Sequence, residues 1–183
     1  MQAARRLFVE RGYHATRPQD IAREAEVGNG TFYLHFNDKR DIFLAFSDEA
    51  CAELEAMVEP LLLDTSVPLT QRLRTCLFAV IEHGEQNKGL MRTALMDLSI
   101  IDPGEHPAEI PRDRLAAMIA RVLTPELSQS ATPGTDGLLL SHALVGMVEQ
   151  AGSYSERRGV PPEVLVDTII RLLLGGFVPG ART

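Results

Sequence analysis

The chain has 183 residues and 45% of them are apolar, enough for a buried core in one compact domain or in a small head joined to a larger body. A net charge of −7 argues against bulk attraction to nucleic acid. Cys51 and Cys76 lack metal or redox spacing and are read as buried thiols, while the longest apolar stretches, 138–148 and 169–177, are too short to cross a bilayer and are broken by His142 and Arg171.

Apolar residues recur at helical spacing almost throughout and no convincing strand alternation is found, so the expected fold is all-α with about nine helices. Ala4, Leu7 and Phe8 predict a first helix that stops at Gly12. A second runs from after Thr16 to about Ala25, and a third covers roughly 29–36. A long fourth runs from Asp38 towards Pro60, with Phe43, Phe46, Ala50, Leu54 and Met57 along one stripe. Beyond Pro68, the series Leu69, Leu73, Cys76, Leu77, Val80, Ile81 marks a fifth, residues 90–98 a sixth, and Leu115, Met118, Ile119, Val122 a seventh. Residues 124–136, rich in Pro, Ser, Thr and Gly, read as a surface loop. Two last helices, about 137–158 and 162–177, meet at Gly159-Val160-Pro161-Pro162, where proline suits a first turn. No repeat or low-complexity segment is found, and no secretory pattern is read ahead of the first helix, so the cytoplasm is the expected compartment.

Residues 16–36 read TRPQDIAREAEVGNGTFYLHF. Thr16 and Gln19 have the spacing of a capping box, Ile21, Ala22 and Ala25 form a small-residue buried face, Val27 is expected to plug the turn, and Phe32 and Phe36 lie four apart on the inner face of the next helix. Two short helices about a tight turn follow the helix-turn-helix plan. The outer face of the third helix keeps Asn29, Thr31, Tyr33, Leu34 and His35, groups able to meet phosphates, base edges or a thymine methyl. Residues 1–46 hold seven Lys/Arg against six Asp/Glu, leaving eleven against nineteen for 47–183, so the head is slightly basic and the rest acidic. On pattern alone the stretch stays open between a DNA-binding motif and an ordinary helical hairpin with a polar outer face.

The run ARRLFVERGYHATRPQDIAREAEVGNGTFYLHFNDKRDIFLAF resembles the DNA-binding head of the TetR (TetR/AcrR-like) family of transcriptional regulators. The matching residues, in order, are Leu7-Phe8, Arg11-Gly12-Tyr13, Thr16, Ile21-Ala22, Val27, Gly30-Thr31, Tyr33, His35-Phe36 and Lys39, covering about the first quarter of the chain. The resemblance implies a three-helix DNA-binding head over 1–46 and a helical ligand-binding and dimerisation body over 47–183. It implies a ligand-responsive repressor that binds a palindromic double-stranded operator as a homodimer and is released by an apolar or amphipathic small-molecule effector. It assigns phosphate contacts to Thr31, Tyr33, His35 and Lys39, and entry to the major groove to Asn29, Gly30 and Thr31. Arg17 and Gln19, with Thr16 at the start of the same helix and Leu34 beside Tyr33, complete the expected DNA-binding set. A cation at Lys39, in the first turn of the fourth helix, opposes the helix dipole, which points to a phosphate partner. The chain departs from the family at Glu26, where glycine is frequent and a positive φ would strain glutamate, at Gly28 in place of serine, and at Leu34 in place of an aromatic.

Dimerisation through the last two helices is also read from their residues. Leu138–Leu140, Leu144, Val145, Met147 and Val148, with Val164, Leu165, Ile169, Ile170 and Leu172–Leu174, are apolar on more than one face, and Gly146 and Gly152 permit close approach. An effector pocket between the fourth and eighth helices is expected, with Phe46, Met57, Phe78, His83, Met91, Leu95, Met118, His142 and Met147 as candidate lining, each also readable as plain core. No cofactor, metal, catalytic residue or membrane partner is expected. Two rival classes are a helical-bundle metal protein or enzyme using His83, Asp97, Glu105, His106, His142 or Glu149, and a partner-binding helical protein with a vestigial head. For the first, no pair has the Glu-x-x-His or His-x-x-x-His spacing that puts two ligands on one helix face.

Overall fold

A computed structural model of the chain describes residues 1–87, 89–90, 93–94, 111–128 and 136–177. Among these, eight helices and no strand occur: α1 Gln2–Ala15, α2 Pro18–Glu24, α3 Asn29–His35, α4 Lys39–Leu63, α5 Leu69–Gln86, α6 Pro111–Ser128, α7 Gly137–Arg158 and α8 Pro162–Phe177. The fold is all-α, as expected. The expected helix at 90–98 lies mostly outside the described residues.

Two compact units are distinguished. The first holds Met1–Glu53 together with the described residues between Gly84 and Pro111; the second holds Leu54–His83 and the described residues from Arg112 onward. In the first unit, one apolar cluster joins Ala4, Leu7 and Phe8 of α1, Ile21 and Ala22 of α2, Phe32 of α3, Ile42, Phe43, Phe46 and Ala50 of α4, and Leu90 and Ala94. Phe8 is its aromatic hub, 5.1 Å edge-on to Phe43 and 5.6 Å from Phe46 between ring centroids. Helix α1 is broken at Gly12, whose φ of 76° and ψ of 169° lie in a region that glycine enters readily and other residues avoid, so its regular part ends where the sequence predicts. At its start, Arg5 grips Glu53 through a forked pair of contacts at 2.5 and 2.9 Å.

In the second unit, Leu54, Val58 and Leu62 of α4, Leu73, Cys76 and Leu77 of α5, Met118, Ile119 and Leu123 of α6, Leu140, Leu144 and Val145 of α7, and Leu165, Val166, Ile169 and Ile170 of α8 are buried. Helix α7 begins at Asp136, whose carboxylate accepts from the amides of Leu138 and Leu139, and ends at left-handed Gly159. Its first residue, Gly137, packs against α6 so closely that an added Cβ would lie 2.1 Å from Thr124 Oγ1. Half-buried ion pairs link Arg112 to Glu149 (2.7 Å) and Arg114 to Glu55 (2.9 Å), and burial pushes the Glu149 carboxyl up against the opposing pull of Arg112. Arg72 is buried, with a guanidinium nitrogen donating to the Leu62 carbonyl at 2.7 Å, and so satisfies a backbone acceptor at the end of α4.

Two local expectations are corrected. The stretch 124–136 is not all loop: α6 continues through Thr124 and Pro125 to Ser128, and 129–135 lie outside the described residues. Helix α4 likewise passes through Pro60 to Leu63. A proline removes one amide donor but does not end a helix that has only a few residues left to run and other groups to hold its end.

Candidate nucleic-acid interface

The α2–turn–α3 segment is built by backbone bonds more than by side-chain caps. Helix α2 opens with Pro18 in its first turn behind Arg17, and no side-chain cap bond forms there. The expected capping box at Thr16 and Gln19 is therefore absent. Thr16 is instead fully buried, its hydroxyl 2.8 Å from the Gly12 carbonyl and 3.2 Å from that of Leu7. It braces the end of α1 and cannot reach DNA, which removes it from the expected contact set.

Helix α2 ends in a paired arrangement: the Glu26 amide donates to the Arg23 carbonyl (3.1 Å) and the Val27 amide to that of Ala22 (2.9 Å). This is the Schellman motif, and it requires a left-handed residue at the position Glu26 occupies. Glu26 has φ of 56°, the single non-glycine positive φ among the described residues. Ala25 and Val27 are exposed rather than buried, because the chain turns outward here and Ile21 and Ala22 alone meet the core. Gly28 precedes α3 at φ −68° with no side-chain cap, so the loss of serine there removes a cap without using glycine's freedom.

Helix α3 is attached by one buried side chain, Phe32, with half-buried Phe36 5.8 Å from it. Asn29, Gly30, Thr31, Tyr33, Leu34 and His35 are all exposed, and Leu34 is 82% accessible. Leu34 and Tyr33, the latter 51% accessible, therefore put apolar surface beside the polar groups on the open face of α3. Arg17 and Gln19 are exposed at the start of α2. Of the nearby cations, Arg6 pairs with Glu24 and Arg23 with Asp20. Among the described residues Arg17 has no carboxylate partner, which leaves its charge available to a phosphate.

Lys39 has a partner within the protein. Its Nζ donates to the Tyr13 carbonyl at 3.0 Å and stands 4.2 Å from the centre of the Tyr13 ring. The start of α4 also carries negative charge, since Asp38 accepts from the Asp41 amide (2.8 Å) while Asp41 accepts from the Asn37 amide (3.0 Å). These acids, legible in the Asp38-x-x-Asp41 spacing, complement the start of α4.

The candidate effector-lining residues do not all share a setting. Phe46, expected to line the pocket, belongs instead to the core of the first unit, 1% exposed and packed on Phe8 and Phe43. Met57, Phe78, His83, Met118, His142 and Met147 belong to the second unit; Met118 is buried and the others are half-buried. His142 stands 3.9 Å from Asp113. Met91 and Leu95 lie outside the described residues, as do Asp97, Glu105 and His106. Cys51 and Cys76 are both buried. Among the described residues there is no cluster of three or more potential metal ligands, and no helix is long and apolar enough to cross a membrane.

Residues 1–46 match the family described as "Bacterial regulatory proteins, tetR family". The HTH-type transcriptional repressor DhaR of a Mycobacterium species is 38% identical over 76 residues, which are 42% of this chain and 38% of that protein, so the match spans well under half of its length. An uncharacterized HTH-type transcriptional regulator of Mycobacterium bovis is 30% identical over 156 residues, 84% of this chain and 68% of its own. Among solved structures, the transcriptional regulator FadR of Bacillus subtilis, in complex with stearoyl-CoA, has a TM-score of 0.71 at 20% identity, covering 96% of each chain. At that identity the likeness is one of fold.

Proposed function

This chain belongs to the TetR family of bacterial transcriptional regulators, and on that premise we propose that it binds a palindromic DNA operator as a homodimer and leaves it when an apolar or amphipathic effector binds the second unit. The observation that carries the reading is the exposed face of α3, where Asn29, Thr31, Tyr33, Leu34 and His35 surround no core of their own. A helix so presented enters the major groove with its first residues at base edges. Asn29 and Thr31 read sequence there, Leu34 meets a thymine methyl, and Tyr33, His35 and Arg17 bond the phosphate backbone. Such binding would place the protein with the chromosome, in the cytoplasm.

Helices α7 and α8 support the dimer. Leu140, Leu144, Val145, Leu165, Ile169 and Ile170 are buried within the unit, yet Leu138, Leu139, Val164 and Leu172 on the same helices are exposed. A helix pair apolar on two faces needs a second partner, and a two-fold mate is the commonest. Ile170 is thus interior, and the exposed Leu139 and Leu172 are the residues that would meet a mate. An amphipathic effector is favoured by the methionines of the second unit and by the acyl-CoA that the B. subtilis FadR structure holds.

The test begins with selection of bound sequences from random duplexes. Tyr33→Ala is expected to weaken binding to every duplex and to flatten its salt dependence, whereas Asn29→Ala is expected to shift the preferred sequence. Failure of the wild-type chain to enrich any sequence, together with unchanged affinity in Tyr33→Ala, refutes the docking on α3.

A further inference from the structure

Lys39 sits beside the proposed DNA face, but its surroundings point inward. We propose that Lys39 is a positioning residue that acts on DNA binding through Tyr13, not by gripping a phosphate; the proposal rests on the DNA-binding reading above. Its ammonium meets two parts of one residue, the carbonyl at 3.0 Å and the ring face at 4.2 Å. A carbonyl and a π face are both sites of negative potential, and together they fix the direction of a flexible side chain. The break at Gly12 makes the carbonyl accessible, since α1 has only one short turn left beyond it. In that turn the Tyr13 oxygen accepts from the Thr16 amide at 3.2 Å and from Lys39.

The placement also accounts for a cation in a first turn. At the start of its own helix Lys39 is unfavourably placed, but it serves as the basic side chain that helix ends attract, here for the carbonyl end of α1. The Tyr13 ring in turn lies edge-on to Phe43 at 4.9 Å and stacked with Phe8 at 6.1 Å. Those two rings belong to the cluster that contains Phe32, the single buried residue of α3. Lys39 therefore ties the end of α1 to the start of α4 at the edge of the core that seats the recognition helix. A phosphate that took this ammonium would have to draw it from both the carbonyl and the ring.

The experiment measures binding of the full chain to a mixed-sequence DNA duplex by fluorescence anisotropy over a range of salt concentrations. Lys39→Met keeps the stem and removes the charge. The expected result is roughly three- to tenfold weaker binding at every salt concentration, the combined effect of a cation–π contact and a charged hydrogen bond, with the slope of log affinity against log salt unchanged. Lys39→Arg, which retains a donor and a planar cation for the ring, is expected to restore most of the loss. Tyr13→Leu removes the ring but keeps the backbone carbonyl, so it is expected to weaken binding by a smaller factor, and the double variant to bind no worse than Lys39→Met alone, because the ring contact is already lost there. A merely structural role would lower unfolding temperatures without producing that coupling in DNA affinity. The proposal is overturned if Lys39→Met makes the slope shallower by about 0.9, the signature of one lost phosphate contact, or if it binds as wild type does. Additive losses in the double variant overturn it as well. Should Tyr13→Leu not fold, the slope and the arginine rescue decide. A wild-type chain that binds no duplex at any salt concentration overturns the DNA-binding reading itself, and the proposal with it.

Discussion

Replacing Glu26 by glycine is expected to stabilise the protein, an unusual outcome for a substitution inside a functional motif. Glu26 holds φ of 56° at the position after α2 where two backbone bonds close, and both bonds demand that conformation. A left-handed conformation costs an ordinary residue roughly 1–2 kcal/mol and costs glycine almost nothing. Glycine also loosens the unfolded chain, which takes back roughly 0.4–1 kcal/mol. The net gain is then about 0.5–1 kcal/mol, or a rise of roughly 1–4 °C in the unfolding midpoint for a chain of this size. Glu26→Ala is the control, since it removes the carboxylate but keeps the left-handed strain. Thermal unfolding followed by circular dichroism should place Glu26→Gly above both wild type and Glu26→Ala, with Glu26→Asn between them. If the glycine variant is no more stable than the alanine variant, the turn does not hold Glu26 in the left-handed region in solution. Both variants remove one acid from the head, so a DNA-affinity change they share reports charge and is separable from the turn.

Four further outcomes are expected. Gly137→Ala should destabilise by about 1–3 kcal/mol, because the new methyl meets Thr124 Oγ1 at 2.1 Å and Cβ at 3.1 Å; Thr124→Ala should recover much of the loss in urea unfolding. Leu139→Glu and Leu172→Glu, at positions exposed in the single chain, should leave the helical spectrum intact while abolishing the dimer in sedimentation; a dimer that survives both moves the interface elsewhere. Neither cysteine should react with a thiol reagent at mildly alkaline pH in the folded protein, since burial pushes the Cys76 thiol up to about 11 and Cys51 is fully enclosed, whereas both should react in denaturant. Helix α4 has residues in both units, and if it carries an effector signal between them, glycines at the exposed Ala52 and Ala56 should weaken effector-driven release of DNA, at roughly 1 kcal/mol of helix stability each; release as complete as in wild type rules α4 out as that carrier.

Much of the fold was legible because helical periodicity reports burial directly, and Leu7, Phe8, Ile21, Phe32, Phe43 and Leu54 are core residues as their spacing predicts. The positive φ of Glu26 was legible too, from a glycine-favouring position filled by glutamate. What misled was the assumption that polar residues at a helix start face water. Thr16 has the right type and spacing for a cap, yet the break at Gly12 leaves carbonyls that its hydroxyl meets inside the fold. Lys39 has a partner that spacing hides: only the path of the chain brings Tyr13 within reach across 26 residues. Proline misled in the opposite sense, since Pro60 and Pro125 both lie within helices that run a few residues beyond them. Phe46 was misplaced because a stripe along α4 does not reveal which unit each residue serves.

The attachment of α3 by one buried ring has an evolutionary consequence. Six of its positions, Asn29, Gly30, Thr31, Tyr33, Leu34 and His35, lie outside the core, so they are free to vary with little penalty to folding. On the proposed docking of α3, new operator preferences are therefore reachable through a series of single changes, each leaving a folded chain behind. Variation at Phe32, by contrast, would remove the buried side chain that seats the helix. A library randomised at those six sites, with Phe32 and Phe36 held fixed, would search DNA specificity while nearly all its members still fold.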